Sequence, residues 1–77
     1  MRYYFIVNPV AGAGLSLKLF LEVEELLHEK NIDYSVVYTE YPLHAKVLTR
    51  DAIAAGETCI VSVGGDGTFR EVAETAY

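Results

Sequence analysis

The chain has 77 residues, of which 52% are hydrophobic, and its eleven acidic and six basic residues give a formal net charge of −5. This length allows one small domain, and the negative charge disfavours nucleic acid as a partner. The single cysteine, Cys59, excludes an internal disulfide framework. Met1 precedes a short strand-like run rather than a signal peptide, and no run approaches the ~20 apolar residues of a transmembrane segment. We therefore expect a soluble, cytoplasmic protein.

The first part of the chain predicts a strand, a loop and a helix. Residues 3–7 form a continuous β-branched and aromatic run, which is typical of a strand in a parallel sheet covered on both faces. Residues 8–14 contain two glycines and a proline, which favour a loop. A helix follows, with Ser16 as its predicted N-cap. Its apolar stripe consists of Leu19, Phe20, Val23, Leu26 and Leu27.

The remainder of the chain repeats strand and helix twice. Strands are predicted at residues 34–39 and 58–63. The second helix runs from about His44 to Ala55 with Gly56 as its C′ residue, and the third begins near Thr68. The predicted apolar faces of these helices are Ala45, Leu48, Ala52 and Ala55 in the second, and Phe69, Val72, Ala73 and Ala76 in the third.

This alternation indicates parallel β-α-β units joined by right-handed crossovers. We therefore predict an α/β fold, β-α-β-α-β-α, with either three layers or an open two-layer arrangement. The pattern does not determine the strand order. Because the last apolar pattern continues to the end of the chain, we expect residues 1–77 to be the N-terminal part of a larger domain.

Distinctive residues follow all three predicted strands, whereas the loops at the opposite ends are ordinary. The segments concerned are residues 8–14, the pair Thr39-Glu40, and residues 64–68. In open parallel sheets, ligands bind beyond the carboxyl ends of the strands. The sequence therefore predicts a ligand site at this edge of the sheet.

The third of these loops, Gly64-Gly65-Asp66-Gly67-Thr68, has the composition of an anion site. Glycines allow successive N–H groups to converge, and the following helix directs its N-terminal N–H groups to the same place. The Thr68 hydroxyl adds a donor. A carboxylate beside a phosphate is repulsive unless Mg²⁺ or a substrate hydroxyl lies between them, so Asp66 indicates one of these. The alternative is a glycine-rich turn in which Asp66 is an N-cap.

The first loop also suggests a dinucleotide fingerprint. Residues 12–17 approach the G-x-G-x-x-G pattern, but Leu17 occupies the position of the small third residue. Glu40 could serve as the acid that binds a ribose. A dinucleotide-binding fragment therefore remains an alternative, whereas the P-loop motif is absent from the sequence.

Taken together, these motifs resemble the diacylglycerol kinase catalytic domain family, which includes bacterial lipid kinases and sphingosine kinases. The resemblance rests on Asn8-Pro9-Val10-Ala11-Gly12, on Thr39-Glu40 followed by His44-Ala45, and on the run from Gly64 to Val72. NAD kinases share the Gly-Gly-Asp-Gly-Thr core, so the fold is expected to be a partial NAD kinase/diacylglycerol kinase-like domain. Ala11 and Leu43 depart from the family pattern, which often has serine and glycine at these positions.

The resemblance implies a site for ATP and Mg²⁺. The implied ATP-binding residues are Asn8, Gly12, Thr39, Gly64, Gly65, Asp66, Gly67, Thr68 and Glu71. Asp66 is the implied catalytic residue, acting with Mg²⁺ or with the acceptor hydroxyl. Of the other polar residues, His44 is expected to cap its helix or lie on the surface, and His28 to complement a helix dipole.

The implied activity is transfer of the ATP γ-phosphate to a lipid hydroxyl. The family's second domain supplies the lipid cleft and the general base, so we expect this chain alone to have negligible activity, and the lipid to bind only the full-length protein. The alternative is a non-catalytic nucleotide-binding or self-association module. We also predict a homo-oligomer, since consecutive helices on one side would leave one sheet face bare.

Overall fold

The computed structural model describes residues 2–76, so Met1 and the predicted helix end at Tyr77 lie outside the described residues. In chain order the strands and helices are β1 (Arg2–Val7), α1 (Leu15–Glu29), β2 (Asp33–Tyr38), α2 (His44–Ala54), β3 (Ile60–Val63) and α3 (Asp66–Ala76). A short 3₁₀ turn at Ala11–Gly14 precedes α1. The predicted α/β fold is confirmed. None of the helices in this part of the chain is long and apolar enough to span a membrane.

The sheet is parallel, with the strand order β2-β1-β3. Phe5 in the central strand pairs with Val36 on one side and Val61 on the other. β2 and β3 therefore lie on opposite sides of β1, so the connection from β2 to β3 crosses over β1. With crossovers of the usual right hand, such a reversal of direction places consecutive helices on opposite faces of the sheet, and α1 and α2 do pack on opposite faces.

The result is a three-layer fold with a small core on each face. On one face Phe5 and Val7 pack with Phe20 and Leu27 of α1, and the rings of Phe5 and Phe20 lie 5.2 Å apart. On the other face the core residues are Ile6, Ala45 and Val72, the last two from α2 and α3. The prediction of a bare sheet face is therefore wrong.

Helix α1 begins earlier than its predicted cap and buries less than its apolar stripe. Gly14, at φ 93°, occupies the N-cap position without a side-chain hydrogen bond, so Ser16 is already helical and the predicted N-cap is wrong. Only Phe20 and Leu27 of the stripe are buried. The other members, Leu19, Val23 and Leu26, are 41–52% exposed, because the narrow sheet contacts a single line of the helix.

The later elements also differ in detail from the prediction. Strand β3 begins at Ile60, and α3 begins at Asp66, two residues before the predicted start. Phe69 was expected on the apolar face of α3, yet it is 65% exposed. Ala55 is the C-cap of α2 and is exposed, so it does not belong to the buried face. Gly56 has φ 88°, as a C′ residue should.

Thr49, which was not predicted, belongs to the buried face of α2, together with Ala45 and Ala52. It is fully buried, and its hydroxyl donates to the carbonyl oxygen of Ala45 at 2.7 Å. This internal partner satisfies the hydroxyl, so a threonine can occupy an apolar face.

The amino ends of the three strands are held together by Arg2. Its Nε lies 3.2 Å from both carboxylate oxygens of Glu57, and its Nη1 lies 3.0 Å from Oδ1 of Asp33. Nη2 donates to the Ser35 hydroxyl. The Glu57 carboxylate is the main cause of the raised pKa of Arg2. This cluster aligns β1, β2 and the segment before β3 at the edge opposite the predicted site.

Candidate functional site

A cavity of about 300 Å³ lies at the carboxyl ends of the strands. It is bounded by the ends of β1 and β2, the segment between β2 and α2, and the first turns of α2 and α3. The lining residues are Asn8, Val10, Thr39, Glu40, Tyr41, Pro42, Leu43, Ala45, Thr68 and Glu71. The cavity thus occupies the edge at which the sequence predicts a ligand site.

Four of the residues implied by the family resemblance line this cavity together: Asn8, Thr39, Thr68 and Glu71. Thr39 is fixed there by its N–H, which donates to the carbonyl oxygen of Val7 at 2.9 Å. The remaining implied residues are outside the lining: Gly12, Gly64, Gly65, Asp66 and Gly67. The glycines that follow β3 belong to the loop that leads into Thr68, so they adjoin the cavity rather than enclose it.

Asn8 connects the end of β1 to the start of α3. Its N–H donates to the carbonyl oxygen of Val63 at 2.9 Å, and its Oδ1 accepts from the N–H of Val10 at 3.2 Å. Its Nδ2 lies 3.4 Å from Oγ1 of Thr68, which is a long hydrogen bond. The amide and hydroxyl side chains are therefore placed side by side, but their mutual bond is weak enough to be exchanged for a ligand.

The three glycines of this loop have different reasons to be glycine. A Cβ at Gly64 would lie 2.9 Å from Oγ1 of Thr68 and 3.1 Å from Cβ of Asn8, so close packing requires glycine there. A Cβ at Gly65 or Gly67 would meet nothing within 4 Å, and neither residue has a positive φ. Gly67 also lies inside α3, where glycine is unfavourable relative to alanine. Packing and backbone conformation therefore do not explain Gly65 and Gly67.

The carboxylates of α3 are placed differently from each other. Oε1 of Glu71 is buried and lacks a hydrogen-bond partner among the described residues, although the residue lines the cavity. Asp66 is exposed in the first turn of the helix, where a negative charge is favourable. Within residues 2–76 no group of three or more His, Cys, Asp or Glu side chains could hold a metal ion.

The segment between β2 and α2 contributes lining residues that the sequence does not predict. The N–H of Glu40 donates to Nδ1 of His44 at 2.9 Å, and the His44 ring stacks on Tyr41 with centroids 4.1 Å apart. The His44 ring therefore accepts from an N–H outside α2 and caps no N–H of the helix, so the predicted capping role of His44 is wrong. Leu43 has φ 70° and precedes α2 as its N-cap. No motif marks Tyr41 or Pro42, and Val10 belongs to the motif at residues 8–12 without a predicted role.

His28 and Arg70 remain outside the cavity. His28 lies in the last turn of α1, as expected, and its Nε2 donates to the hydroxyl oxygen of Tyr34 at 2.7 Å. The Tyr34 hydroxyl in turn donates to the carboxylate of Glu24 at 2.6 Å, which raises the Tyr34 pKa to about 12. Arg70 is exposed on α3.

Known proteins are similar to this chain over most of its length. Over 74 residues the chain is 33% identical to YtlR of Bacillus subtilis, which is named as a candidate lipid kinase; the match covers 92% of the chain and 24% of that protein. It is 39% identical over 67 residues to sphingosine kinase 1 of Arabidopsis thaliana, with coverage of 86% and 14%, respectively. Human sphingosine kinase 1 is 35% identical over 72 residues, with coverage of 92% and 19%. The chain therefore spans about a quarter or less of the length of these relatives.

The sequence profile of the diacylglycerol kinase catalytic domain matches residues 2–77, nearly the whole chain. The match confirms the resemblance inferred from the three motifs and favours it over the dinucleotide fingerprint. The chain belongs to the diacylglycerol kinase catalytic domain family.

Proposed function

We propose that this chain forms the ATP-binding part of a lipid kinase. The observation that carries the proposal is the space at Gly65 and Gly67 beside the cavity, since packing and backbone conformation require glycine at neither position. Both glycines lie at the N-terminus of α3, whose first N–H groups are available to an anion. Glycine at both positions leaves room for a phosphate against the backbone, which is how glycine-rich loops bind nucleotides.

The cavity residues have complementary roles in this proposal. The N-terminus of α3 and the Thr68 hydroxyl bind the phosphates, and the Asn8 amide supplies a further donor once its long bond to Thr68 is released. The unpartnered Oε1 of Glu71 accepts a hydrogen bond from a hydroxyl or amino group of the nucleotide. Thr39, held by the end of β1, provides a hydroxyl on the opposite wall.

The residues present are compatible with a Mg²⁺ ion that arrives with the nucleotide. Mg²⁺ is commonly held by one or two carboxylates together with substrate phosphates and water. Asp66 is exposed beside the N-terminus of α3 and can be that carboxylate. When bound, the ion would neutralise charge on the phosphates, and Asp66 would orient it or accept a proton from the acceptor hydroxyl.

Calorimetric titration of the purified chain tests the proposal. ATP and ADP should bind with a stoichiometry of one, and Mg²⁺ should tighten the binding of both because it reduces repulsion between Asp66 and the phosphates. NAD serves as the competitor for the dinucleotide alternative and should bind at least about tenfold more weakly. Absence of ATP and ADP binding to the folded chain would refute the proposal.

Phosphoryl transfer to a lipid hydroxyl is proposed for the whole protein rather than for this chain. The catalysed step requires ATP, metal ion and acceptor to be positioned together, and the chain spans only about a quarter of the relative YtlR. Incubation of the chain with labelled ATP, Mg²⁺ and diacylglycerol should therefore yield no phosphatidic acid above background. Turnover would show that these residues suffice.

Self-association remains a second proposed property. Both sheet faces have a helix layer, but the exposed apolar residues of α1 and the open edges of β2 and β3 are still available for contacts. Sedimentation equilibrium at micromolar concentration should give a mass above that of one chain. A single-chain mass together with native-like circular dichroism would contradict it.

A further inference from the structure

Two buried side-chain oxygens of α3 lack a hydrogen-bond partner among residues 2–76: Oε1 of Glu71 and Oγ1 of Thr75. Buried polar atoms are nearly always hydrogen-bonded, because burial without a partner costs free energy. The two residues are four positions apart on one helix, so their side chains lie on the same side of α3, one turn apart. A hydroxyl donor without a partner therefore neighbours a carboxylate acceptor without one.

Another buried threonine shows which partner the fold supplies elsewhere. Thr49 of α2 is fully buried, and its hydroxyl donates to the carbonyl oxygen of Ala45, four residues earlier, at 2.7 Å. This is a common partner for a threonine inside a helix. Thr75 makes no such bond to the carbonyl oxygen four residues before it, which belongs to Glu71. Its hydroxyl is therefore available to the Glu71 side chain.

Glu71 connects this pair to the cavity. Glu71 lines the cavity together with Thr68, whereas Thr75 lies one turn further along α3 and outside the lining. Residues four apart on a helix have Cβ atoms about 5–6 Å apart, a separation that a hydroxyl and a carboxylate can bridge. A carboxylate has about four acceptor sites, so Glu71 can accept from Thr75 and from a ligand in the cavity at the same time.

We propose that Thr75 is a positioning residue that acts through Glu71. When the nucleotide binds, the Glu71 carboxylate accepts from its hydroxyl or amino group on the cavity side and from the Thr75 hydroxyl behind. Both buried oxygens are then satisfied in one step, so the bond from Thr75 contributes to nucleotide affinity. This inference rests on the proposed nucleotide site and assigns to it a residue that does not touch the ligand.

The test compares the binding of ADP with that of inorganic tripolyphosphate, which has phosphates but no nucleoside. Thr75→Val removes the hydroxyl and keeps the shape of the side chain, so it should weaken ADP binding about fivefold through the loss of one hydrogen bond. Thr75→Ala should weaken it similarly, whereas Thr75→Ser keeps the hydroxyl and should stay within about twofold of the unchanged chain. All of these proteins should bind tripolyphosphate equally, because it offers Glu71 no nucleoside hydroxyl or amino group.

A double-mutant cycle shows whether Thr75 acts through Glu71. Glu71→Ala removes the acceptor and should itself weaken ADP binding. In that background Thr75→Val should cause no further loss, because the hydroxyl no longer has a carboxylate to hold. An equal loss of ADP affinity from Thr75→Val in both backgrounds would overturn the inference.

The matched control is Thr49→Val, which removes the hydroxyl of the other buried threonine. Thr49 lies outside the cavity lining, and its partner is a backbone carbonyl oxygen. This variant should bind ADP and tripolyphosphate as the unchanged chain does, whatever its urea midpoint of unfolding. A loss of ADP affinity in Thr49→Val would mean that removal of any buried hydroxyl alters the site, which would overturn the assignment to Thr75.

The remaining outcomes are distinct. Unchanged ADP affinity in folded Thr75→Val and Thr75→Ala would overturn the role of Thr75 while leaving the nucleotide site intact. A loss in Thr75→Ser as large as that in Thr75→Val would overturn it too, since the hydroxyl would not be the cause. An equal loss of ADP and tripolyphosphate would show that the substitutions only distort α3, which also overturns the inference. Failure of the unchanged chain to bind either compound would refute the proposed nucleotide site and this inference together.

Discussion

The two edges of the sheet differ in how well folding accounts for their residues. At the amino ends, Arg2 bonds to Asp33, Ser35 and Glu57, and each of these polar side chains has a partner. At the carboxyl ends, the same sheet presents glycines that packing does not require, a leucine in a left-handed conformation and a buried carboxylate oxygen without a partner. The side chains of the Arg2 cluster are satisfied within the fold, whereas these residues at the carboxyl ends are not explained by packing or by hydrogen bonds among residues 2–76.

This difference supports the carboxyl-end edge as the proposed ligand site. Natural sequences agree with their folds at most positions, and local violations concentrate at functional sites. The violations here come from two segments: Leu43 precedes α2, and Gly67 and Glu71 belong to α3. Leu43 and Glu71 line the cavity, and Gly67 directly precedes Thr68, which also lines it. Substitutions at the two edges should therefore affect different properties of the chain.

The largest expected effect is from Gly67→Asp. A carboxylate at this position would occupy the phosphate approach and repel the phosphates, so ADP affinity should fall at least about a hundredfold. The fold should persist, because a Cβ at Gly67 meets nothing within 4 Å and acidic residues are favourable in the first turn of a helix. Calorimetry and circular dichroism measure both quantities, and unchanged affinity in the folded variant would count against the site.

The next largest effect is a difference in stability between alanine substitutions at two neighbouring glycines, Gly64 and Gly67. Gly64→Ala should destabilise the chain by about 1–3 kcal/mol, because the new methyl group would press on Asn8 and Thr68. Gly67→Ala, the matched control, should instead stabilise α3 by about 0.5–1 kcal/mol. Urea denaturation gives both values. Equal effects of the two substitutions would contradict the distinction between a packing glycine and a ligand glycine.

Loss of the Arg2 cluster should lower the stability of the chain without changing its affinity for ADP. Arg2→Ala removes the cation that joins the three strands, so the urea midpoint should fall while ADP affinity stays within about twofold. Arg50→Ala is the control, because Arg50 is exposed on α2 and forms no ion pair within residues 2–76. A loss of ADP affinity in folded Arg2→Ala would show that the two edges are coupled.

The smallest effect concerns Tyr34, near the amino end of β2. Its hydrogen bond to Glu24 raises its pKa from 10.0 to about 12. Because the folded-state pKa is the higher one, the associated stability is present below pH 10 and is lost as pH rises from 10 to 12. Glu24→Ala should lower the Tyr34 pKa towards 10, as measured by ultraviolet absorbance with Tyr34→Phe as the reference. An unchanged titration would refute this bond.

The periodicity of apolar residues predicts where the helices and strands lie better than it predicts which of their side chains are buried. The alternation of apolar runs identifies all the strands and helices of the described chain, and the C′ role of Gly56. It overestimates the buried face of α1, since Leu19 and Phe20 are equally apolar but only Phe20 faces the sheet. Thr49 is missed for the opposite reason, because an internal hydrogen bond makes a polar residue suitable for a core.

The residues of the candidate site that belong to a sequence motif could be predicted, whereas those outside the motifs could not. The loop around Gly64 and the residues Asn8 and Thr39 follow from the positions of strand ends. Tyr41 and the strained backbone of Leu43 depend on how the segment between β2 and α2 folds, which the amino-acid pattern does not specify. Likewise, the unpartnered oxygen of Glu71 is visible only once α3 is packed.

An amide-resolved NMR titration of the unchanged chain with ADP and Mg²⁺ tests the central claim most directly. The account predicts that shift changes concentrate at Asn8, at residues 39–43 and at residues 64–71, with little change around Arg2 and Glu57 at the amino ends. Saturating ADP that leaves the carboxyl-end amides unshifted, or that shifts mainly those of the amino-end edge, would contradict it.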